Sequence, residues 1–275
     1  MLASATAQLN KVADALLESD RRYFGLGAES QSLGFGELCW VPGQSRNPAG
    51  CVYHIDFPGQ KRLQGAAEGC PLASIEAAFV SLHSPIARIY TPTDCVLAPM
   101  LGHAGYECRS ELGYLIEGSQ VEGMQEPLTH LLHLRPVLSN QDWADKCTLQ
   151  RSSKAVPDGH QHAPEDWIEL ERQRSRSGSI EWFLAETDGE ICGTFGLARS
   201  VGLTRIKNVL VHPKWRRKGI AQRMLKTVFA NELPESSTQA VGVFGVAGSL
   251  GERLYRSCGM SPVCEQLEWV RPLSR

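Results

Sequence analysis

A run of basic residues separates a strand-like segment from a helix-like segment in the second half of this chain. The strand-like segment Arg205–Val211 is followed by His212 and Pro213, and it must stop there because proline cannot donate a hydrogen bond to a β ladder. Three consecutive basic side chains, Arg216–Lys218, then lead into Gly219. Apolar residues at helical spacing follow, namely Ile220, Met224 and Val228. The fold must therefore place a positively charged turn between a strand and a helix.

We interpret this turn as a binding site for a phosphorylated ligand. The N-terminus of a helix presents unpaired N–H groups and partial positive charge, and phosphates bind there for that reason. Gly219 lets the backbone approach a ligand, small Ala221 keeps the first turn uncrowded, and Arg216–Lys218 supply charge-assisted donors. The pattern GxxxxGK[ST] is absent, and no GxGxxG follows a strand. A plain basic turn and a nucleic-acid-binding patch are the alternatives.

Signals along the second half predict a sheet with helices on its faces. Two β-type runs, Glu181–Glu186 and Glu190–Ser200, are joined by Asp188-Gly189, which is a strong hairpin signal. From Leu132 to Val270 the predicted order is β-α-α-β-β-β-α-β-α-β. The fold class is therefore α/β (α+β), with a mixed, mostly antiparallel sheet flanked by helices.

Composition excludes several classes of function. The chain has 275 residues and a net charge of −2, whereas a general nucleic-acid or anionic-membrane binder carries a basic excess. Its nine cysteines form no CxxC pair, which favours free thiols in a reducing compartment over a disulfide framework. The N-terminal segment predicts an amphipathic surface helix from Leu9, Val12, Ala13, Leu16 and Leu17, and no apolar run reaches the ~18 residues of a membrane span. We expect a cytoplasmic protein without nucleic-acid or membrane partners.

Several motifs in the expected order resemble those of the GNAT N-acetyltransferase superfamily. Arg216-Arg217-Lys218-Gly219-Ile220-Ala221 is similar to its R/Q-x-x-G-x-G/A motif, and the preceding NVLVHP resembles the end of its fourth strand. ERLYRSCGM, Glu252–Met260, is similar to its second motif, in which a tyrosine precedes a glycine by four residues. LRPVLSNQDW resembles its opening strand and helix. The resemblance covers about Leu131 to Leu273.

The resemblance implies transfer of an acetyl group from acetyl-CoA to an amine, with no metal. Backbone groups of Val209 and Val211 would bind the pantetheine arm and the acetyl carbonyl, and an N–H near Leu210 would polarise the thioester. Amides from Arg217 to Gln222 would hold the pyrophosphate, and Tyr255 would protonate the departing thiolate. The complete set implied for acetyl-CoA is Val209, Leu210, Val211, Arg216, Arg217, Lys218, Gly219, Ile220, Ala221 and Gln222.

Two positions depart from the family pattern. Asn208 stands where many members have a carboxylate, and asparagine cannot take a proton at neutral pH. The glutamates on the predicted hairpin are candidates for the missing base, although each is expected to be a solvated strand residue: Glu181, Glu186 and Glu190. Gly248 stands where a CoA-contacting asparagine is frequent, and Ser249 is a candidate substitute.

The first half contains a weaker copy of the second. Ala87–Tyr106 aligns with Val241–Met260 at a constant offset, which suggests a duplication. At the same offset Arg62–Ala67 falls on the basic turn, and Leu101 replaces Tyr255. Gly69 and Pro71 are expected to weaken or break the helix that would follow. We predict a degenerate GNAT-like or other α/β domain over residues 1–125 and a catalytic domain over residues 126–275.

The remaining features point to no further chemistry. His160 and His162 are expected to be exposed loop residues and not metal ligands, and Glu171–Gly178 is expected to be the solvated end of a helix. The acceptor is expected to be a small-molecule or peptide amine, and the protein a monomer or homodimer. The alternative to an N-acetyltransferase is a CoA-binding regulatory or scaffold protein without turnover, and Asn208 favours that alternative.

Overall fold

A computed structural model describes residues 2–33, 36–47, 49–55, 71–95, 97–118, 132–153, 163–234 and 238–273. The regular elements are, in chain order, α1 (Leu2–Gly25), β1 (Glu29–Ser32), β2 (Gly36–Trp40), β3 (Cys51–Ile55), α2 (Pro71–Ser81), β4 (Ile86–Pro92), α3 (Ala98–His103), β5 (Glu107–Glu117), β6 (His133–Pro136), α4 (Asn140–Ser152), α5 (Pro164–Ser175), β7 (Glu181–Thr187), β8 (Glu190–Ser200), β9 (Gly202–Val211), α6 (Ile220–Glu232), β10 (Thr238–Val246), α7 (Leu250–Ser257) and β11 (Ser261–Pro272).

The chain divides into two compact units. Unit 1 comprises Met1–Ser19 and Gly113–Cys264, and unit 2 comprises Asp20–Leu112 and Glu265–Arg275. The division that the sequence predicts, between residues 125 and 126, lies outside the described residues and stays a prediction. Each unit also includes a short segment from the opposite end of the chain.

Unit 1 is a mixed sheet with helices from the second half of the chain. Its strands follow the order β5-β10-β9-β8-β7-β6. The pairs β6–β7, β7–β8 and β8–β9 are antiparallel, whereas β9 and β10 are parallel. The predicted order of ten elements is therefore confirmed. The hairpin turn has Asp188 at φ 52° and Gly189 at φ 75°, the left-handed pair that a two-residue hairpin requires.

Two buried clusters fix the helices of unit 1. The predicted face of α6 is buried, with Ile220, Met224 and Val228 each at most 2% exposed. Gly193 on β8 makes room for α6, since a Cβ there would lie 2.7 Å from Met224 Sδ. Leu16 on α1 is fully buried with Leu115, Leu203 and Ala240. The N-terminal helix is thus confirmed, and it is part of the hydrophobic core of unit 1.

Unit 2 repeats part of this arrangement. Its strand order is β1-β2-β3-β4-β11, with β5 next to β11. The pair β3–β4 is parallel, and the pairs β1–β2, β2–β3 and β4–β11 are antiparallel. A separate apolar core includes Tyr53, Phe79, Ile89 and Trp269. Among the strand pairs named here, each unit therefore contains one parallel pair and is otherwise antiparallel.

The repeat extends to hydrogen bonds at the ends of two short helices. Gly105 after α3 and Gly259 after α7 have φ angles of 81° and 83°. At the end of α3, Tyr106 N donates to Leu101 O and Gly105 N donates to Gly102 O, both at 3.1 Å. At the end of α7 the corresponding bonds run from Met260 N to Tyr255 O and from Gly259 N to Arg256 O, also at 3.1 Å. Both ends are Schellman motifs, which need a left-handed residue such as glycine. This matched geometry supports the predicted duplication and places Leu101 at the position of Tyr255.

One local expectation is wrong, and another stays a prediction. Helix α2 begins at Pro71, where the missing N–H has no helical partner to lose. The expectation that Gly69 and Pro71 weaken or break the helix after the Arg62–Ala67 loop stays a prediction, because residues 56–70 lie outside the described residues. The segment after Glu171 is not simply solvated, since Glu171 and Arg174 are each 1% exposed. The loop Arg62–Ala67 lies outside the described residues.

The described cysteines are all free thiols, and no described helix is long and apolar enough to cross a membrane.

We predict that Leu16→Ala destabilises the protein by about 2–5 kcal/mol, because it removes a fully buried side chain and leaves a cavity. Leu17→Ala is the matched control, since Leu17 is only partly buried, and it should cost clearly less. Urea unfolding of both variants measures the difference. Equal losses would show that the buried face of α1 does not contribute to the core of unit 1.

Candidate active site

The parallel strands β9 and β10 separate part-way along their length. Their paired register runs from Gly202–Thr238 to Ile206–Val243. Both strands continue beyond that point, to Val211 and Val246. The continuing segments, Lys207–Val211 and Phe244–Val246, border what we call the β9–β10 opening. Peptide groups of β9 on that side are available to something other than β10.

A β-bulge at Asn208 begins the unpaired part of β9. Lys207 pairs with Gly196 and Leu210 with Thr194, so two residues of β9 lie opposite Phe195 alone. Asn208 has φ 49°, a left-handed conformation that asparagine tolerates better than most residues. Bulges redirect a strand and end its regular pairing. Asn208 therefore lies at the point where β9 leaves β10.

The backbone of β9 presents alternate residues to the opening. His212 N donates to Cys192 O of β8 at 2.9 Å, and peptide groups alternate sides along a strand. Leu210 thus faces β8, whereas Val209 and Val211 face the opening. The Val211 carbonyl indeed accepts from Arg216 Nε, which lies outside the β8 ladder, at 3.2 Å. The expectation that an amide near Leu210 polarises a ligand stays a prediction, and the neighbouring amides on the open side are those of Val209 and Val211.

The basic turn has a defined backbone conformation. A 3-10 turn, Pro213–Trp215, is capped by His212, whose Nδ1 accepts from Lys214 N at 3.1 Å. Arg217 has φ 61° and Gly219 has φ 75°. Gly219 is the N-cap of α6, and no side-chain hydrogen bond caps that helix. A Cβ added to Gly219 would meet no protein atom within 4 Å, so the space in front of the helix is open.

The first amides of α6 point into this open space. The first helical hydrogen bond is from Arg223 N to Gly219 O, at 3.0 Å. The N–H groups of Ile220, Ala221 and Gln222 precede it and have no acceptor within the helix. They are donors to an anion in front of the helix. Gln222 also donates through its side chain to Ser257 Oγ at 2.9 Å, which connects α6 to α7.

The basic side chains of the turn differ in their partners. Lys214 forms an ion pair with Glu190 at 2.6 Å, and this ammonium lowers the pKa of Glu190. Lys218 Nζ lies 4.7 Å from the centre of the Trp215 ring. Arg217 and Lys218 are exposed. The turn therefore keeps positive charge at the N-terminus of α6.

Tyr255 lies against the β10 side of the opening. Its ring packs on Gly245, where a Cβ would approach Tyr255 Cε2 to 2.8 Å. On another side the ring of Tyr114, from β5, lies 5.5 Å away between centroids. Tyr255 is 7% exposed. Gly245 and Tyr114 together fix the orientation of the Tyr255 ring.

The environment of Tyr255 favours its protonated form. Burial, followed by the neighbouring Cys258 and Tyr114, raises the pKa of Tyr255 to about 12. The phenol therefore keeps its proton at neutral pH and can donate a hydrogen bond. Because an ordinary thiol has a pKa of about 8.5, complete proton transfer from this phenol to a thiolate is unfavourable. Hydrogen-bond donation is the chemistry that suits Tyr255.

A buried ion pair lies behind the bulge. Lys146 on α4 contacts Glu171 on α5, and both side chains are 1% exposed. Asn208 Nδ2 donates to Glu171 Oε1 at 2.8 Å. Lys146 Nζ also lies 4.2 Å from the centre of the Trp182 ring. The carboxylate nearest to Asn208 thus belongs to α5 and is already paired.

The glutamates considered as bases are each paired with a basic residue. Glu181 contacts Arg199, Glu186 accepts from Arg135 Nε at 2.8 Å, and Glu190 is paired with Lys214. All three lie in surface or half-buried ion pairs, as expected for solvated strand residues. The base stays unassigned.

The residues at the start of α7 also have structural partners. Ser249 caps the helix, because its Oγ accepts from Glu252 N at 3.3 Å. Gly248 N donates to Glu252 Oε2 at 2.7 Å. The Ser249 oxygen is therefore occupied as a cap acceptor, which weakens the case for Ser249 as a substitute ligand contact.

Within the described residues, no group of three His, Cys, Asp or Glu side chains is arranged to hold a metal ion. His160 and His162 lie outside those residues.

The sequence of the site matches a known domain family. Residues 178–259 match the family described as acetyltransferase (GNAT) domain, a stretch that lies within unit 1 and contains the opening, the basic turn and Tyr255. No curated protein matches the sequence.

Solved structures share the fold of this chain over most of its length. A GCN5-related N-acetyltransferase from Kribbella flavida has a TM-score of 0.66 at 15% identity, over 96% of this chain and 96% of that chain. A conserved protein of unknown function from Staphylococcus epidermidis has a TM-score of 0.65 at 13% identity, over 90% of this chain and 96% of that chain. A tandem GNAT protein from the clavulanic acid biosynthesis pathway has a TM-score of 0.55 at 12% identity, over 87% and 79%. The predicted family and fold class are confirmed.

Sequence reasoning missed three residues of the site. The sequence predicts that Glu171 lies at a solvated helix end, and the motifs described above do not include Tyr114 or Gly245. A glycine inside a strand is a signal of close approach by another group, so Gly245 could have been identified. Tyr114 contacts Tyr255 and Glu171 contacts Asn208, and no local sequence pattern indicates contacts between residues so far apart in the chain.

Proposed function

We propose that this protein is an N-acetyltransferase that moves an acetyl group directly from acetyl-CoA to an amine within a ternary complex. The observation that carries this proposal is the β9–β10 opening. It has unpaired strand backbone on one side, the uncapped N-terminus of α6 at its end, and Tyr255 beside β10. The match of residues 178–259 to the GNAT family supports acetyl transfer as the general activity.

Each part of the site suits one part of acetyl-CoA. The pyrophosphate would accept hydrogen bonds from the first amides of α6, with Arg216–Lys218 adding positive charge. The amide-rich pantetheine arm would pair with the backbone of Val209 and Val211, as a missing strand does in a sheet. The thioester would then lie in the opening close to Tyr255.

The reaction needs little chemistry from side chains. The amine nitrogen attacks the thioester carbonyl carbon, the C–S bond breaks, and the sulfur leaves as a thiolate while the nitrogen loses a proton to water. Holding both substrates in one cleft supplies much of the rate. A backbone N–H of Val209 or Val211 would stabilise the oxyanion, and Tyr255 would donate a hydrogen bond to the thiolate. The acceptor would be a small-molecule or peptide amine.

A CoA-binding regulatory or scaffold protein without turnover is the second candidate. Asn208 favours it, because asparagine cannot remove the proton that a charged amine must lose. The paired state of Glu171, Glu181, Glu186 and Glu190 also leaves no base assigned. The two candidates differ in whether acetyl-CoA is consumed.

Turnover separates these two functions. We expect the full-length protein to release CoA thiol from acetyl-CoA when given a panel of primary amines and peptides, as measured with a thiol reagent. An amine acetylated in that panel would be identified by its mass. Tight binding of acetyl-CoA with no thiol release across the panel would favour the regulatory protein instead.

We predict that Gly219→Glu weakens acetyl-CoA binding more than about a hundredfold, because it puts a carboxylate where the pyrophosphate would lie. Gly219→Ala is the matched control: it shares the strain of a side chain at φ 75° without the charge, and it should retain most of the affinity. Calorimetry measures both. Unchanged affinity in a folded Gly219→Glu variant would remove the basic turn from the site, and two acetyl-CoA per chain would show that the first half also binds.

We predict that Tyr255→Phe lowers kcat by about a hundredfold and leaves acetyl-CoA affinity nearly unchanged. The phenylalanine ring keeps the packing against Gly245 and Tyr114 and removes only the donor. The assay needs a good acceptor amine, so that amine deprotonation does not limit the rate. A kcat within a few-fold of wild type would assign Tyr255 to packing alone.

A further inference from the structure

The conformation of Asn208 is held by a contact from outside its own sheet. We infer that Glu171 is a positioning residue: through Asn208 it holds the bulge that separates β9 from β10. The role is defined for the acetyl-CoA site and so rests on the proposed function. The contact itself and the conformation it holds do not depend on that function.

Glu171 has a partner for each carboxylate oxygen. Oε1 accepts from Asn208 Nδ2 at 2.8 Å, and Oε2 contacts the Lys146 ammonium. Both charged side chains are 1% exposed, so the pair is fixed by packing as well as by charge. A carboxylate held at both oxygens presents an acceptor to Asn208 in one place only.

The contact explains why asparagine occupies the bulge. A residue at φ 49° is strained unless it is glycine or has a side chain that can hydrogen-bond. The amide of Asn208 supplies a donor to Glu171, whereas an aspartate would bring a second carboxylate against the first. The loss of the usual carboxylate at this position therefore follows from the presence of Glu171 behind it.

Glu171 acts through Asn208 and not on the substrate. It is buried and paired with Lys146, so it is not free to accept a proton from an amine. To join α4 to α5, the Lys146–Glu171 ion pair would not require the additional hydrogen bond from Asn208 on β9. The position of that contact, at the bulge just beyond the paired part of β9 and β10, links the ion pair to the opening.

The test removes the Glu171 carboxylate that accepts a hydrogen bond from Asn208, by substitutions chosen to keep the protein folded. Lys146→Met/Glu171→Met replaces the buried pair by apolar side chains of similar size, a change that proteins often tolerate. We expect acetyl-CoA affinity to fall about tenfold in this variant. Adding Asn208→Gly should restore the affinity to within about threefold of wild type, because glycine adopts the left-handed conformation without a partner.

A second variant covers the case in which the double methionine variant does not fold. Glu171→Asp keeps the negative charge beside Lys146 and withdraws the carboxylate from Asn208 by one methylene group. It should show the same loss of affinity and the same rescue by Asn208→Gly. A control, Asn208→Ala with Glu171 intact, should bind acetyl-CoA less tightly than Asn208→Gly, because alanine disfavours φ 49°.

A crystal structure of either Glu171 variant without ligand gives a readout independent of binding. We expect residue 208 to leave the left-handed region and the register between β8 and β9 to change. A folded variant that keeps the bulge, or that binds acetyl-CoA as wild type does, overturns the inference, as does a loss of affinity that Asn208→Gly does not restore. If wild-type protein binds no acetyl-CoA, the proposed function fails, and the conformation of residue 208 still decides this inference.

Discussion

The candidate site depends on the partial pairing of β9. From Gly202 to Ile206 this strand has β8 on one side and β10 on the other, and beyond Ile206 it has β8 alone. The unpaired segment Lys207–Val211 is exposed or half-buried, so its free peptide groups can be hydrogen-bonded by water or by a ligand. The bulge at Asn208, the basic turn and the uncapped helix all lie at the same end of β9. At the opening, β9 therefore has no neighbouring strand on the β10 side.

The order of elements in unit 1 could be predicted because its signals are local. Asp188-Gly189 defines a hairpin, Pro213 ends a strand, and Gly259 ends a helix, each through the backbone conformation that the residue permits or forbids. Alternating or helical spacing of apolar residues predicted the other strands and helices of unit 1. The motif that indicates a phosphate site, Arg216–Ala221, is also contiguous in the sequence, so it can be recognised without knowledge of the fold.

The parts of the site that could not be predicted depend on distant contacts. Glu171 lies in a strongly charged segment, ERQRSRSG, which resembles a solvated helix end until Lys146 is known to pair with it. The φ angle of Asn208 is equally hidden, since asparagine is common in loops and turns.

The assignment of Met1–Ser19 to unit 1 has a consequence for biosynthesis. Leu16 is synthesised long before its partners Leu203 and Ala240. A ribosome adds about 5–20 residues per second, so α1 waits many seconds for the strand it packs against. During that interval an apolar helical face is exposed on the nascent chain, where a chaperone or a wrong partner can reach it. Unit 2 depends in the same way on Glu265–Arg275, so its early segment Asp20–Leu112 also waits for residues made after all of unit 1.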